Sequence, residues 1–168
     1  MANQIYYLPV NWVDGMKINK NHFIEEQNAR IQDQAFAAGA HITAINYGLL
    51  PPVAGEHNSV KLYINMDNQQ QVSVKLLYCR AITPGGVVIH IQQDAGSNIA
   101  ETSEKITGLS VPFSQLKENA ETYYVVLAVN PYERIPAGNA NAEELPPRIP
   151  YTLPKYSLSL LAEENLQN

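Results

Sequence analysis

The stretch VKLYINM-DNQQ-QVSVKLLYC, residues 60–79, decides the fold of this chain. Every second residue is apolar in both halves, at Val60, Leu62, Ile64 and Met66 and then at Val72, Val74, Leu76 and Tyr78. Strict alternation places apolar side chains on one face of a β-strand. Because the polar run 68–70 between the halves is typical of a turn, the stretch predicts an antiparallel hairpin.

Further strands are predicted after this hairpin. Thr83-Pro84-Gly85-Gly86 predicts a type II turn with Pro84 and Gly85 at its central positions, followed by a third strand over 87–91. The stretch 122–130 is rich in Tyr, Val and Leu at consecutive positions, which predicts a central strand covered on both faces. Residues 156–160 predict a last strand, whereas the polar stretch 94–108 indicates a loop with a short strand at its end.

The sequence before the hairpin predicts an extended arm and one helix. Residues 1–10 contain a short aromatic and aliphatic run suited to a strand or an arm, and Asp14-Gly15 predicts a tight turn. From 21 to 38 the apolar period is helical, with a stripe formed by Phe23, Ile24, Ile31, Ala35 and Ala38. We expect Asn21 to cap this helix, Gly39 to end it, and the stripe to dock on a sheet or a partner.

The segment 131–154 holds six of the eleven prolines. Proline has no backbone N–H and a fixed φ, so this segment is predicted to be neither regular helix nor central sheet. A connection of that length in a compact domain is typically functional or disordered, and it is long enough to wrap around a neighbouring subunit. The chain as a whole is therefore predicted to be mainly β with one amino-terminal α-helix.

Size and charge limit the classes of function. The 168 residues, 45% of them hydrophobic, suit one well-buried core, and the net charge of −5 without any basic cluster argues against a nucleic-acid partner. The lone Cys79 is interpreted as an inert core thiol, which fits a reducing cytoplasm. No secretory signal is predicted, and the uncharged run 36–55 contains too many helix breakers for a membrane span.

Sequence motifs for catalysis or metal binding are lacking, so we expect no enzymatic activity, metal or cofactor. The histidines do not have metal-ligand spacing; they are His22, His41, His57 and His90. No nucleophile elbow or phosphate-binding glycine loop occurs, and the carboxylate pairs 25–26 and 143–144 are interpreted as solvated surface. Ten tyrosines suit protein interfaces as well as strand packing, and stacking on sugars is a rival explanation.

The stretch NWVDGMKINKNHF, residues 11–23, carries a family resemblance. Trp12, the acidic-Gly-hydrophobic step that ends at Met16, and the His22-Phe23 pair before a Gln-rich helix resemble the opening signature of the TssK family of type VI secretion baseplate proteins. The strand, Pro-Gly turn and strand over 78–91 and the Tyr-rich 122–130 are also similar to that family. Lys20-Asn21 stands where many members have Pro-Gln, which indicates a divergent branch.

This resemblance implies a fold and a partner. The implied fold is an antiparallel β-sandwich similar to the shoulder of phage receptor-binding proteins, with residues 1–168 as a single amino-terminal domain that lacks the family's neck and carboxy-terminal head. The implied role is structural: the domain attaches the TssK adaptor, a homotrimer at full length, to the TssF/TssG wedge. The baseplate is thereby linked to the membrane complex, on the cytoplasmic side of the inner membrane and without direct membrane insertion.

The same resemblance implies protein-binding residues, for which alternatives stay open. Trp12, Met16, His22 and Phe23 match the signature and are predicted to organise the wedge-facing end, or else to anchor the helix to its own sheet. A glycan-binding or phage-tail-like adhesin β-sandwich is the main rival function. A small hydrolase would require a pocket that joins one of the histidines to a carboxylate.

Overall fold

A computed structural model describes residues 6–93, 108–116 and 122–165. Within those residues the chain forms one long helix and seven strands in two antiparallel sheets, so the prediction of a mainly β fold with an amino-terminal helix is confirmed. Two compact units are present. We call Met1–Gly48 with Ile82–Val88 the helical unit and Leu49–Ala81 with Ile89–Asn168 the β unit.

The helix of the helical unit, α1, spans Lys20–Gly39. Its cap is Asn19 and not Asn21 as predicted: the Asn19 Oδ1 accepts the backbone N–H of Asn21 at 2.9 Å and of His22 at 3.4 Å. In return, His22 Nδ1 accepts the backbone N–H of Asn19 at 3.3 Å, which completes a capping box. Two polar side chains thus satisfy amide groups that a helix start leaves without partners.

α1 ends at Gly39, as predicted, but its buried face differs from prediction. Ala40 follows the helix in right-handed conformation, so Gly39 is not a left-handed terminator. The buried residues of α1 are Asn28, Ala29, Gln32 and Ala35, whereas Phe23, Ile24 and Phe36 are exposed. The predicted stripe is therefore right for Ala35, right in part for Ile31 and Ala38, which are half-buried, and wrong for Phe23 and Ile24. The fully buried face is built from small and hydrogen-bonding side chains.

The turn after Thr83 also belongs to the helical unit. The backbone N–H of Gly86 donates to Thr83 O at 3.0 Å, and Val87 N–H donates to Thr83 Oγ1 at 3.0 Å. The left-handed residue is Gly86, with φ +81°, and not Gly85, so the predicted type II turn is wrong. A turn followed by a left-handed glycine is a usual hairpin solution.

Gly86 lies against the last turns of α1. A Cβ atom on this residue would stand 2.1 Å from the carbonyl oxygen of Ala35 and 2.8 Å from the amide nitrogen of Gly39. Both neighbours are helix backbone, which cannot rotate away as a side chain would. The close approach and the positive φ together require glycine at this position.

We expect Gly86→Ala to destabilise the protein by about 3 kcal/mol, because overpacking and a left-handed backbone both act against alanine. Gly85→Ala is the matched control, since the nearest atom to its Cβ would be Thr83 Oγ1 at 4.0 Å. The measurement is equilibrium unfolding in urea. Equal midpoints for the two variants would show that the helix does not pack on this turn.

The larger sheet of the β unit is arranged around one central strand. Its strands are β1 Gly48–Leu49, β2 Val60–Met66, β3 Gln71–Ile82, β4 Val88–Gln92 and β5 Gly108–Pro112, and β3 pairs with each of the others. The predicted hairpin is confirmed as β2 and β3, with a bulge between Lys61 and Leu62. The predicted third strand is β4. Of the polar stretch 94–108, residues 94–107 lie outside the described residues.

The second sheet consists of β6 Tyr123–Ala137 and β7 Tyr151–Ala162. Among the residues that the structure describes, each of these strands has only the other as a neighbour, so the interpretation of 122–130 as a central, doubly covered strand is wrong. Much of the proline-rich 131–154 forms strand, which leaves a shorter connection over 138–150. Both strands are edges, where a missing N–H is tolerated, and Pro131 falls in the irregularity between Asn130 and Arg134.

The two sheets pack through an apolar core. The buried members from the larger sheet are Leu76, Cys79, Ile89 and Ile91, and the residues that pack against them from the smaller sheet are Leu127, Val129, Tyr156 and Leu158. This arrangement is β-sandwich-like, as expected. Burial raises the pKa of the Cys79 thiol, which agrees with the interpretation of Cys79 as a core residue.

Candidate functional site

The amino-terminal arm lies antiparallel along α1. Tyr7 N–H donates to Gln32 Oε1 at 2.7 Å, and Val10 N–H donates to Glu26 Oε2 at 3.1 Å. The ring of Tyr6 lies 6.1 Å from that of Phe36. Two helix side chains therefore satisfy backbone donors of the arm, and the extended-arm interpretation is confirmed for 6–10.

Further along the chain, Trp12 lies beside the first turn of α1. Its ring centroid lies 6.2 Å from that of His22, in an edge-on arrangement, and 6.0 Å from that of Phe23. Trp12 is 44% exposed and Phe23 is 61% exposed, although each ring contacts the other. We call Trp12, His22 and Phe23 the aromatic patch.

The turn that leads from the arm to the helix places Met16. Met16 N–H donates to Val13 O at 3.3 Å, and Gly15 has φ +78°, so the predicted Asp-Gly turn is present. Met16 is half-buried, while Val13 and Ile18 are exposed. Three of the four predicted site residues are therefore joined by ring contacts, and Met16 belongs to the turn beside them in sequence.

Glu26 is the charged residue that connects the arm to α1. Its carboxylate accepts the Val10 N–H at 3.1 Å and pairs with Arg30 Nη2 at 2.9 Å. The Trp12 side chain also favours its charged form, as the smallest of these effects on its pKa. The Val10 N–H, more than Arg30 or Trp12, holds the pKa of this carboxyl below its usual range. Glu26 thus ties the arm to the helix, and its partly exposed side chain has partners that the interpretation as solvated surface did not include.

We expect the fluorescence of Trp12, the only tryptophan, to report this carboxylate. Because the folded-state pKa of Glu26 is lowered, its contribution to stability is present above the ordinary carboxyl pKa and is lost as pH falls through the lowered value. Wild type should show a fluorescence transition below about pH 4.3. Glu26→Gln should lack it and Glu25→Gln should retain it; a transition in Glu26→Gln at the wild-type pH would exclude Glu26 as its source.

The histidines and the carboxylate pairs were the residues to examine for a metal site. No three His, Cys, Asp or Glu side chains are grouped there so as to hold a metal ion. His22 serves the helix cap, and the ring of His90 lies edge-on to that of Tyr78 at 6.2 Å. Of the other carboxylate pair, Glu144 forms an ion pair with Arg148, so its interpretation as solvated surface is also incomplete.

One open groove of about 380 Å³ lies on the β2–β3 hairpin. Its lining consists of Tyr63, Asn65, Ser73, Lys75 and Leu77. An exposed tyrosine face beside amide and hydroxyl groups is a combination that suits a sugar ring as well as a protein side chain. The groove contains no histidine, so it does not provide the pocket that the hydrolase alternative requires.

Comparison with models of known families, with curated proteins and with solved structures finds no match to this chain. Across 6–93, 108–116 and 122–165, no helix is both long and apolar enough to cross a membrane. The site therefore has to be interpreted from its own residues. Sequence reasoning missed two of them, Glu26 and Gln32, and only the spacing of Glu26 from Arg30 marked either one as an interacting residue.

Proposed function

We propose that this chain is the amino-terminal attachment domain of a TssK-like baseplate adaptor, and that its aromatic patch docks on the TssF/TssG wedge. The observation that carries the proposal is that the signature residues Trp12, His22 and Phe23 form one partly exposed ring cluster. Aromatic side chains fixed at a surface are the usual anchors of protein interfaces. Residues needed only to hold the helix would be covered.

The hydrogen bonds of the arm support this role. Tyr7 and Val10 fix the arm at two points on α1, and the Trp12 ring contacts those of His22 and Phe23 in the first turn of the helix. A patch that is already ordered loses little conformational entropy on binding, so more of the contact energy appears as affinity. The surrounding exposed apolar residues enlarge the surface beyond the isolated side chains normal on a protein; they are Leu8, Val13 and Ile18.

In this proposal the protein is a structural component and not an enzyme. It acts in the cytoplasm, docked at the inner membrane through the assembled secretion apparatus. In the TssK family the full-length protein is a homotrimer, and its carboxy-terminal head contacts the membrane complex. The domain holds the adaptor on the wedge, so its surface chemistry has to favour protein contacts over reactive groups.

The proposal is tested by co-expression with the cognate wedge subunits TssF and TssG and capture through a tag on the wedge. Removing an interface anchor typically costs about 2 kcal/mol, which weakens binding by roughly thirtyfold. We therefore expect the double variant with Trp12→Ala and Phe23→Ala to be absent from the captured complex. Phe23→Ala alone should be weakened while its circular dichroism spectrum stays unchanged, because this ring is mostly exposed.

The matched control is Leu145→Ala, which removes an apolar side chain that is 96% exposed in the β unit. It should be captured like wild type. Undiminished capture of a folded Trp12 and Phe23 double variant would rule out the aromatic patch as the docking surface. Absence of wild-type capture under conditions where the wedge subunits bind each other would count against the baseplate assignment itself.

A glycan-binding β-sandwich is the second candidate, favoured by the groove beside Tyr63. Stacking on an exposed tyrosine contributes most to sugar binding, so Tyr63→Ala should abolish any signal on a glycan array while Tyr151→Ala, another exposed tyrosine, should not. Array binding that depends on Tyr63 would establish this function. A wild-type array without signal would eliminate it.

A further inference from the structure

Strand β2 is exposed along its whole length. All seven of its residues are exposed, and Ile64 and Tyr63, which point to opposite faces of the sheet, have exposures of 60% and 69%. Among the described residues, β3 is its only strand neighbour, so its outer edge carries backbone groups without a strand partner. A regular apolar strand with an open edge is a template for pairing with another strand.

The direction of the backbone groups of β2 follows from the ladder. Asp67 N–H donates to Gln71 O at 3.0 Å, and beyond the bulge Arg80 N–H donates to Ser59 O at 2.9 Å. Backbone groups alternate between the two edges of an antiparallel strand. The residues whose N–H and C=O groups face outward are therefore Val60, Leu62, Ile64 and Met66, which are also the apolar ones.

The sequence of β2 is complementary to itself. In an antiparallel pair centred on Tyr63, Leu62 faces Ile64 of the other copy and Val60 faces Met66, so outward backbone groups and apolar side chains meet on both strands. Lys61 faces Asn65, so no like charges oppose each other. Lys61 is also neutralised within its own chain, because its Nζ lies 2.5 Å from Glu56.

We infer that a second copy of this chain pairs through β2, across a two-fold axis at Tyr63, and joins the two larger sheets edge to edge. Each copy presents the same strand to the other, as a two-fold interface requires. The axis brings two Tyr63 side chains together on one face, over a non-hydrogen-bonded position. This contact is separate from the aromatic patch and from the threefold contact of the proposed adaptor, which needs two different surfaces.

The extent of the contact sets its strength. Two strands of this length bury less surface than a standard protein interface, so a reversible dimer that forms with rising concentration is expected. Attachment of several copies to one assembly raises their effective concentration, which would favour pairing there.

Cysteine cross-linking tests the register of the pair. Facing residues at a non-hydrogen-bonded position have Cα atoms about 4.5 Å apart, within the range that a disulfide spans. Tyr63→Cys should therefore give a disulfide-linked dimer under mild oxidation. Asn65→Cys is the control, because its own copy would lie about 13 Å away along the paired strands. The natural Cys79 is buried and should not compete.

A backbone variant tests the pairing without a new thiol. The N–H of Ile64 points outward, so Ile64→Pro removes a donor needed by the second copy while the ladder to β3 keeps its bonds. We expect wild type to shift from monomer to dimer with concentration in sedimentation equilibrium, and Ile64→Pro to remain a folded monomer. Leu145→Ser should dimerise like wild type.

Three outcomes would overturn the inference. They are a wild type that stays monomeric at the highest soluble concentration, cross-linking of Asn65→Cys as efficient as that of Tyr63→Cys, and a dimer that survives Ile64→Pro. Capture by the wedge is measured separately, so loss of the dimer with retained wedge binding leaves the proposed function intact.

Discussion

The β unit depends on one strand, β3, which has to satisfy neighbours on both of its edges. Successive residues of β3 alternate their backbone groups between β2 on one edge and β5 or β4 on the other. The bulge opposite Lys61 places one extra residue in β3 and changes which side chains face the core. Leu76 and Cys79 can therefore both be buried although they differ in parity. A uniform alternation would place them on opposite faces of the sheet.

The sequence was sufficient for β3 and its hairpin because alternation is a local property. The sequence did not predict the position of β6 in its sheet, because a run of apolar residues on both faces does not show how many strands will lie beside it. The number of neighbouring strands also decides the structure of 131–154. Proline is excluded from a central strand, but both strands of a two-stranded sheet are edges, so Pro136 and Pro154 fit within them. Sheet size is set by tertiary pairing, which a single sequence pattern does not report.

The helix shows a different limit of sequence reasoning. Periodicity predicted its existence and its length within a residue or two, but it predicted only part of the buried face, because the amino-terminal arm covers another part of that face. Gln32 and Glu26 are suited to that partner, since an arm without a second strand offers unpaired N–H groups that need acceptors. The large apolar side chains Phe23 and Phe36 are consequently released to the surface. An amphipathic pattern indicates an apolar partner and does not indicate a partner that offers backbone N–H groups.

Exposed apolar groups in this chain are fixed by polar interactions, and the contacts proposed for them depend on this arrangement. At the arm, a carboxylate and an amide oxygen hold the backbone in place, and the rings of Trp12 and Phe23 remain accessible. On β2, the ladder to β3 uses one set of backbone groups and leaves the other set directed outward, beside the apolar side chains. Because folding has already ordered these surfaces, binding of a partner would displace water from them with little further loss of conformational entropy.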